Sequence, residues 1–224
     1  MWSRYGTYII AAAILVVVAI GAYKYREHQR IAAAEAAGIR YEAAVRLAAD
    51  GKMQDAQKAL DDIVKDGPSG YGTLAQIRLA GALAKAGKTA EAVAAFDALA
   101  KGTTGDDLLR DYAALQAAML RLDAADWTEM QNRLNDLTND KNPWRASARE
   151  LLGLAAYKAG KMQEARKIYE QLLGDRSTPP SLVERSQVML GVLAEAEMSK
   201  GDGSASAPEK SMASDKQDGA PAKK

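Results

Sequence analysis

The chain has 224 residues, the length of one domain with appendages, and its 48% hydrophobic and 26% charged content is that of a folded protein. With no cysteine, it has no disulfide, no thiolate catalysis, no thiol-bound zinc and no lipid-modified cysteine; one histidine, His28, cannot build a common zinc or facial-triad site. A formal net charge of +1 with no basic stripe in the body of the chain argues against nucleic-acid binding, and an apolar share dominated by alanine with a single Phe favours close-packed helices over a sheet.

Residues 1–4 form a short flank, and from Tyr5 to Tyr23 there follow 19 residues without a charge, YGTYIIAAAILVVVAIGAY. At about 1.5 Å per residue such a helix reaches about 28 Å, close to the roughly 30 Å of a bilayer's hydrocarbon core. Trp2, Tyr5 and Tyr8 at one end and Tyr23 and Tyr25 at the other stand where aromatic belts meet lipid headgroups. The segment is predicted as a single transmembrane anchor. A cleaved leader is the competing reading, with small residues at Ala19-Ile20-Gly21 but only Arg4 as its basic region. Lys24, Arg26 and Arg30 follow the span and Arg4 precedes it, so the positive-inside count alone places the rest of the chain in the cytoplasm.

After a basic juxtamembrane linker or helix, 24–37, apolar and polar residues alternate at helical spacing through 38–198, and a motif recurs. AADGKMQDAQKALDDI from Ala48, AKAGKTAEAVAAFDAL from Ala84, LDAADWTEMQNRLNDL from Leu122 and YKAGKMQEARKIYEQL from Tyr157 align on Gly51, Gly87, Ala125 and Gly160. The steps between them are 36, 38 and 35 residues, near the roughly 34 of the tetratricopeptide repeat. One column then holds Ala56, Ala92, Met130 and Ala165; the next holds Leu60, Phe96, Leu134 and Tyr169; a third holds Ile63, Leu99, Leu137 and Leu172. Each unit reads as a helical hairpin in which glycine stops the first helix, the small residue lets the second approach it, and the large residue fills the gap to the neighbour. In the middle of the first helix a large residue precedes a small one, Leu152-Gly153, with counterparts at Leu79-Ala80, Ala117-Ala118 and Leu190-Gly191.

Pro68, Pro143 and Pro179-Pro180 fall between units; Asn142-Pro143 is expected to open a helix and Ser181-Leu-Val-Glu184 to form a capping box. Ser181 to about Met198 is a closing helix over the last apolar face, and 199–224, rich in Ser, Gly, Ala, Pro and Lys, is expected to be a disordered tail. The predicted fold is all-α: a single transmembrane helix, then about four helical hairpins and a capping helix.

Gly87-Lys88-Thr89 behind Gly81 imitates the phosphate loop of a nucleotide hydrolase. Five residues separate the glycines where that motif has four, Ala82-Leu-Ala-Lys-Ala86 favours helix, and no strand precedes it. Met53 and Met162 replace Thr89 in the sister units, where a magnesium-binding hydroxyl would be needed. The paired carboxylates Asp61-Asp62 and Asp106-Asp107 read as helix-end residues facing water. Neither an enzyme nor a cofactor is expected.

The order of parts, carried by RYGTYIIAAAILVVVAIGAYKYREHQ, by YGTLAQIRLA from Tyr71 and by NPWRASARELLGLAAYKAGKMQEARKIYEQLL from Asn142, resembles the YfgM-type ancillary subunit of the bacterial SecYEG translocon, a domain family shared with a cell-division coordinator type. The resemblance implies a Gram-negative inner-membrane protein with its repeats in the periplasm, opposite to the positive-inside count. It further implies contact with the translocon, periplasmic chaperones and exported clients; an envelope or cell-division scaffold is the alternative. On the register of such arrays a partner groove would be lined by Tyr41, Val45, Leu74, Ile77, Tyr112, Leu115, Met119, Tyr157 and Lys158. The Asn that grips a terminal carboxylate in some tetratricopeptide domains is replaced by Val45, Gly81, Met119 and Leu154, so carboxylate capture is not expected.

Overall fold

The computed structural model describes the backbone of residues 2–67, 69–103 and 106–204. Among them are nine α-helices and no strand: α1 (Trp2–Ala49), α2 (Met53–Asp66), α3 (Ser69–Lys85), α4 (Thr89–Lys101), α5 (Asp107–Arg121), α6 (Trp127–Leu134), α7 (Arg145–Lys158), α8 (Met162–Gly174) and α9 (Pro180–Ser204), with a 3-10 turn at Asp136–Thr138. The all-helical reading of the sequence agrees with this. So does the pairing of α3 with α4, α5 with α6, and α7 with α8; the C-terminal part of α1 pairs with α2, and α9 closes the row.

Backbone geometry explains why glycine recurs at this turn. Gly51, Gly87 and Gly160 hold φ of +78°, +76° and +74°, a region that glycine reaches freely and a side chain does not. Their N–H groups donate to carbonyls three residues back, on Ala48, Ala84 and Tyr157, and the lysines that follow donate to carbonyls five back, on Leu47, Leu83 and Ala156, all at 2.9 to 3.2 Å. This double bond pattern is the Schellman closure of a helix. The carbonyls of Lys52, Lys88 and Lys161 then accept from Ala56, Ala92 and Ala165 at 3.0 Å, starting the second helix. Glycine and lysine together end one helix and begin the next.

The tight turn brings the second helix onto the first, and the columns follow. Ala56, Ala92 and Ala165 are buried, as are Leu60, Phe96, Leu134 and Tyr169 one turn on. A Cβ on Gly153 would meet the Tyr169 ring at 2.9 Å, so the missing side chain is the seat of the tyrosine. Among the described residues four apolar clusters result, each joining both helices of a unit to the first helix that follows. Ala44, Leu60, Ile63 and Ala75 form one, and Ala80, Phe96, Ala113 and Ala117 another. Met130 and Leu134 are packed between Leu115 and Leu151, and Tyr169 and Leu172 lie against Leu193 of α9.

The third unit departs from this pattern. Ala125 stands where glycine would, with no left-handed residue; its N–H returns to the Arg121 carbonyl at 2.7 Å, and Asp126 caps α6 by accepting the Glu129 N–H at 2.7 Å. Its second helix stops at Leu134, and Leu137 is buried from the 3-10 turn instead. There Thr138 Oγ1 donates to the Asn135 carbonyl at 2.8 Å, one of the local side-chain bonds that compete with helix.

Several expected boundaries are corrected. Asn142 Oδ1 does accept the Trp144 N–H at 2.8 Å, but the α-helix proper begins at Arg145. α9 begins at Pro180, because the Pro179 carbonyl accepts the N–H groups of Leu182 and Val183; Ser181 lies inside the first turn and is not the cap. α9 also passes the expected end at Met198 and reaches Ser204, its late turns tied to α8 by Gln163 and Arg166 bonded to Glu197 at 2.9 and 2.6 Å. Asp61 and Asp62 lie within α2, whereas Asp106 is the N-cap of α5. Pro68 and the tail from residue 205 lie outside the described residues.

α1 runs unbroken through the predicted anchor, the linker and the first repeat helix. Among the described residues no helix is long and apolar enough to cross a membrane. The expected span at Tyr5–Tyr23 takes in Tyr5, Gly6, Thr7, Ile9 and Ala13, whose side chains lie outside the described set.

Two glycines inside first helices should respond oppositely to alanine. A Cβ on Gly81 in α3 meets nothing within 4 Å, so Gly81→Ala should raise the unfolding free energy by about 0.5–1 kcal/mol through helix propensity. Gly153→Ala should lower it by about 1–3 kcal/mol by overpacking Tyr169. Urea unfolding followed by circular dichroism measures both; shifts of the same sign would contradict the packing described.

Candidate protein-binding face

Consecutive first helices touch one another: α1 with α3, α3 with α5, α5 with α7, and α7 with α9. Residues in equivalent columns therefore share one continuous face. Tyr41, Val45, Leu74, Ile77, Tyr112 and Tyr157 are half-buried on it. Tyr41 leans on Tyr71 with ring centroids 6.1 Å apart, and Tyr112 on Trp144 at 5.2 Å, so each aromatic offers an edge while its body braces the array. Met119 is open, with 48% of its surface exposed, whereas Leu115 is 6% exposed and belongs to the core with Met130 and Leu134.

Lys158 has structural work as well. Its Nζ donates to the Leu122 carbonyl at 3.1 Å and to the carbonyl and Oδ1 of Asp123 at 2.5 and 3.2 Å, so a cation closes the end of α5 where carbonyls lack helical partners.

One residue on this face escaped the sequence reading. Val188 of α9, two residues before the large-small pair Leu190-Gly191, occupies the column of Ile77 and Leu115; the next unit covers Leu115, but no first helix follows α9 among the described residues, and Val188 is 66% exposed. Treating the closing helix as one more first helix, with its own place in the columns, would have found it. Glu150 holds the same column in α7, and its carboxylate takes two bonds from Arg185 of α9, at 2.6 and 3.0 Å.

Five polar contacts across the units keep the repeat length. Asp97 to Arg133, Leu108 to Trp144, Leu122 to Lys158, Glu150 to Arg185 and Gln163 to Glu197 are each 34 to 36 residues apart. The densest network lies between the second and third units. Arg121 donates twice to Glu129, at 2.9 and 2.7 Å, and Arg133 once to Glu129 at 2.9 Å and once to Asp97 at 2.8 Å. Hydrogen bonds from Arg121 and Arg133 hold the Glu129 carboxyl down at about 2. Asp175 is likewise held at about 2, chiefly by the hydroxyl and N–H of Ser177 and then by Arg145. These charges are engaged with one another.

The glycine and lysine N–H groups of the imitation phosphate loop are already spent on the helix turn. The N–H groups of Gly87 and Lys88 are bonded to Ala84 and Leu83, and Lys88 Nζ lies 3.5 Å from Glu91. Among the described residues, no three His, Cys, Asp or Glu side chains are gathered as metal ligands would be.

A family model described as a tetratricopeptide repeat-like domain matches residues 1–184. No curated protein and no solved structure matches the chain.

The Glu129 network predicts a pH response. Because its folded pKa lies below the ordinary 4.5, its stabilisation is complete above about 4.5 and is lost as the pH falls toward about 2. Thermal midpoints recorded from pH 6 to about 2 should converge for wild type and Glu129→Gln as Glu129 becomes protonated. A gap between the two that stays constant across that range would contradict the network's role.

Proposed function

Because the chain belongs to the tetratricopeptide repeat-like family, we propose that it is a membrane-anchored protein-interaction module of the YfgM type. On this reading it sits in a bacterial inner membrane by one N-terminal span, with its repeats in the periplasm. There it links the Sec translocon to periplasmic chaperones and assists exported proteins.

The observation that carries the anchor is the surface of α1. Ile10, Ile14, Leu15, Val16, Val17, Val18 and Ile20 are all more than half exposed, on every side of the helix, with Tyr8 at one end and Tyr23 and Tyr25 at the other. An exposed apolar belt of this kind is better accommodated by hydrocarbon than by water, which supports the anchor reading. The match to the family extends over this belt, which supports reading it as part of the family's architecture. The anchor restricts the array to the membrane plane and raises its effective concentration near a membrane-bound partner.

Binding is assigned to the face of the first helices. Its open apolar residues, Met119 and Val188, suit an apolar helix or extended segment, with Tyr112 and Tyr157 as adaptable edges. Its ion pairs are internally satisfied, so it holds no built receptor for a charged terminus.

Full-length protein should stay with the membrane fraction through alkaline extraction, and Val17→Lys combined with Leu15→Lys should release it. Met119→Glu with Val188→Glu should cut co-purification of partners about ten-fold or more, the loss expected when hot-spot contacts are charged, with helical content intact. Unchanged co-purification would remove the binding face from the account. Recovery of division proteins in place of translocon subunits would favour the scaffold reading.

A further inference from the structure

Along its middle section α1 carries two stripes free of charge, and the array covers one. Ala37 and Ala44 are buried, Gly38 receives Tyr71, and Tyr41 packs beside it, so this stripe faces α2 and α3. The other runs Tyr25, Gln29, Ala32, Ala36, Ile39, Ala43, and every member is exposed, Ile39 at 72%. Continued in the same phase toward the N-terminus it takes in Ala11, Leu15, Val18 and Ala22, also exposed, and it stops at Arg46.

Steps of alternately four and three residues, sustained along one unbroken helix, are the a and d positions of a coiled coil. Alanine at Ala22, Ala32, Ala36 and Ala43 lets two helix axes approach closely, as membrane and juxtamembrane pairs do. The single polar member, Gln29, bonds Tyr25 Oη at 3.1 Å, and one polar residue in such a seam fixes register.

The flanks are complementary to themselves. Glu35 falls at g and Arg40 at e of the next heptad, so in a parallel pair each Glu35 meets the Arg40 of the other helix. Both are exposed, whereas Glu27 and Glu42 are engaged within the helix by Arg30 and Arg46.

We infer that a second copy of this chain covers the seam, with α1 packed parallel and in register against its twin. The geometry is that of a two-fold interface, the same surface on both partners. Each repeat array packs on the side of its α1 away from the seam, so pairing leaves both first-helix faces open. The inference is independent of what those faces bind.

The chain has no cysteine, so single cysteines report pairing cleanly. In full-length protein reconstituted into phospholipid vesicles, oxidation should dimerise Ala32→Cys, Ala36→Cys and Ile39→Cys about ten-fold more than Arg30→Cys or Ile31→Cys, which are exposed but off the seam. Ile39→Asp should reduce the mass measured by light scattering in detergent from dimer to monomer while helical content is kept. Glu35→Arg should weaken pairing about two- to five-fold, and Glu35→Arg with Arg40→Glu should restore it. A monomeric wild type, cross-linking without the three-and-four phase, or an Ile39→Asp variant that stays dimeric would overturn the proposal.

Discussion

The repeat geometry depends on one left-handed residue at the end of a first helix. At Gly51, Gly87 and Gly160 the chain turns in two residues, with the glycine and lysine N–H groups returned to the helix just finished. Because the turn is that short, the second helix starts in contact with the first. The position five residues on must therefore be small, and the position four further on has room for Leu60, Phe96 or Tyr169. The residue after each glycine, lysine in all three, serves the turn through its backbone, as any residue but proline could: its N–H closes one helix and its carbonyl opens the next.

Packing built this way is local. Each of the four apolar clusters binds both helices of a unit to the first helix that follows, and five of the cross-unit contacts fall one repeat apart in sequence. Stability then accumulates from neighbour to neighbour, as in other solenoids. The third unit shows what replaces glycine when it is absent. Asp126 caps α6 with its side chain, Met130 fills the column held elsewhere by alanine, and the Arg121–Glu129–Arg133–Asp97 network joins this unit to the one before it.

Much of the fold was legible because period and backbone chemistry are written in residue types. Glycine spacing, the alanine column and the Leu-Gly pair each reflect a close approach of backbones. Helix starts were less legible: Ser181 looks like a cap from its own chemistry, but the carbonyl of Pro179 is already serving that purpose. The face of the first helices was legible as a set of columns, not residue by residue. Spacing groups Leu115 with Met119 and Lys158 with Tyr157, but it does not tell that α6 and α7 cover Leu115 or that the end of α5 lies within reach of the Lys158 amine. Val188 was missed because the closing helix was read only as a cap.

The continuity of α1 ties the parts together. One helix carries the apolar belt, the charged stretch after it and the first repeat helix, so the array's position relative to the belt is set by helix geometry rather than by a loose tether. Under the proposed anchoring, that arrangement would give the first-helix face a fixed height and direction above the membrane. The most direct measurement is site-specific photo-crosslinking in cells, with a photoreactive residue placed in turn at Met119, Val188, Lys58 and Glu170. Discrete polypeptide adducts from Met119 and Val188, and none from Lys58 and Glu170 on exposed positions of second helices, are expected. Equal adducts from both sets, or adducts from the second helices alone, would contradict a partner seated on the first-helix face.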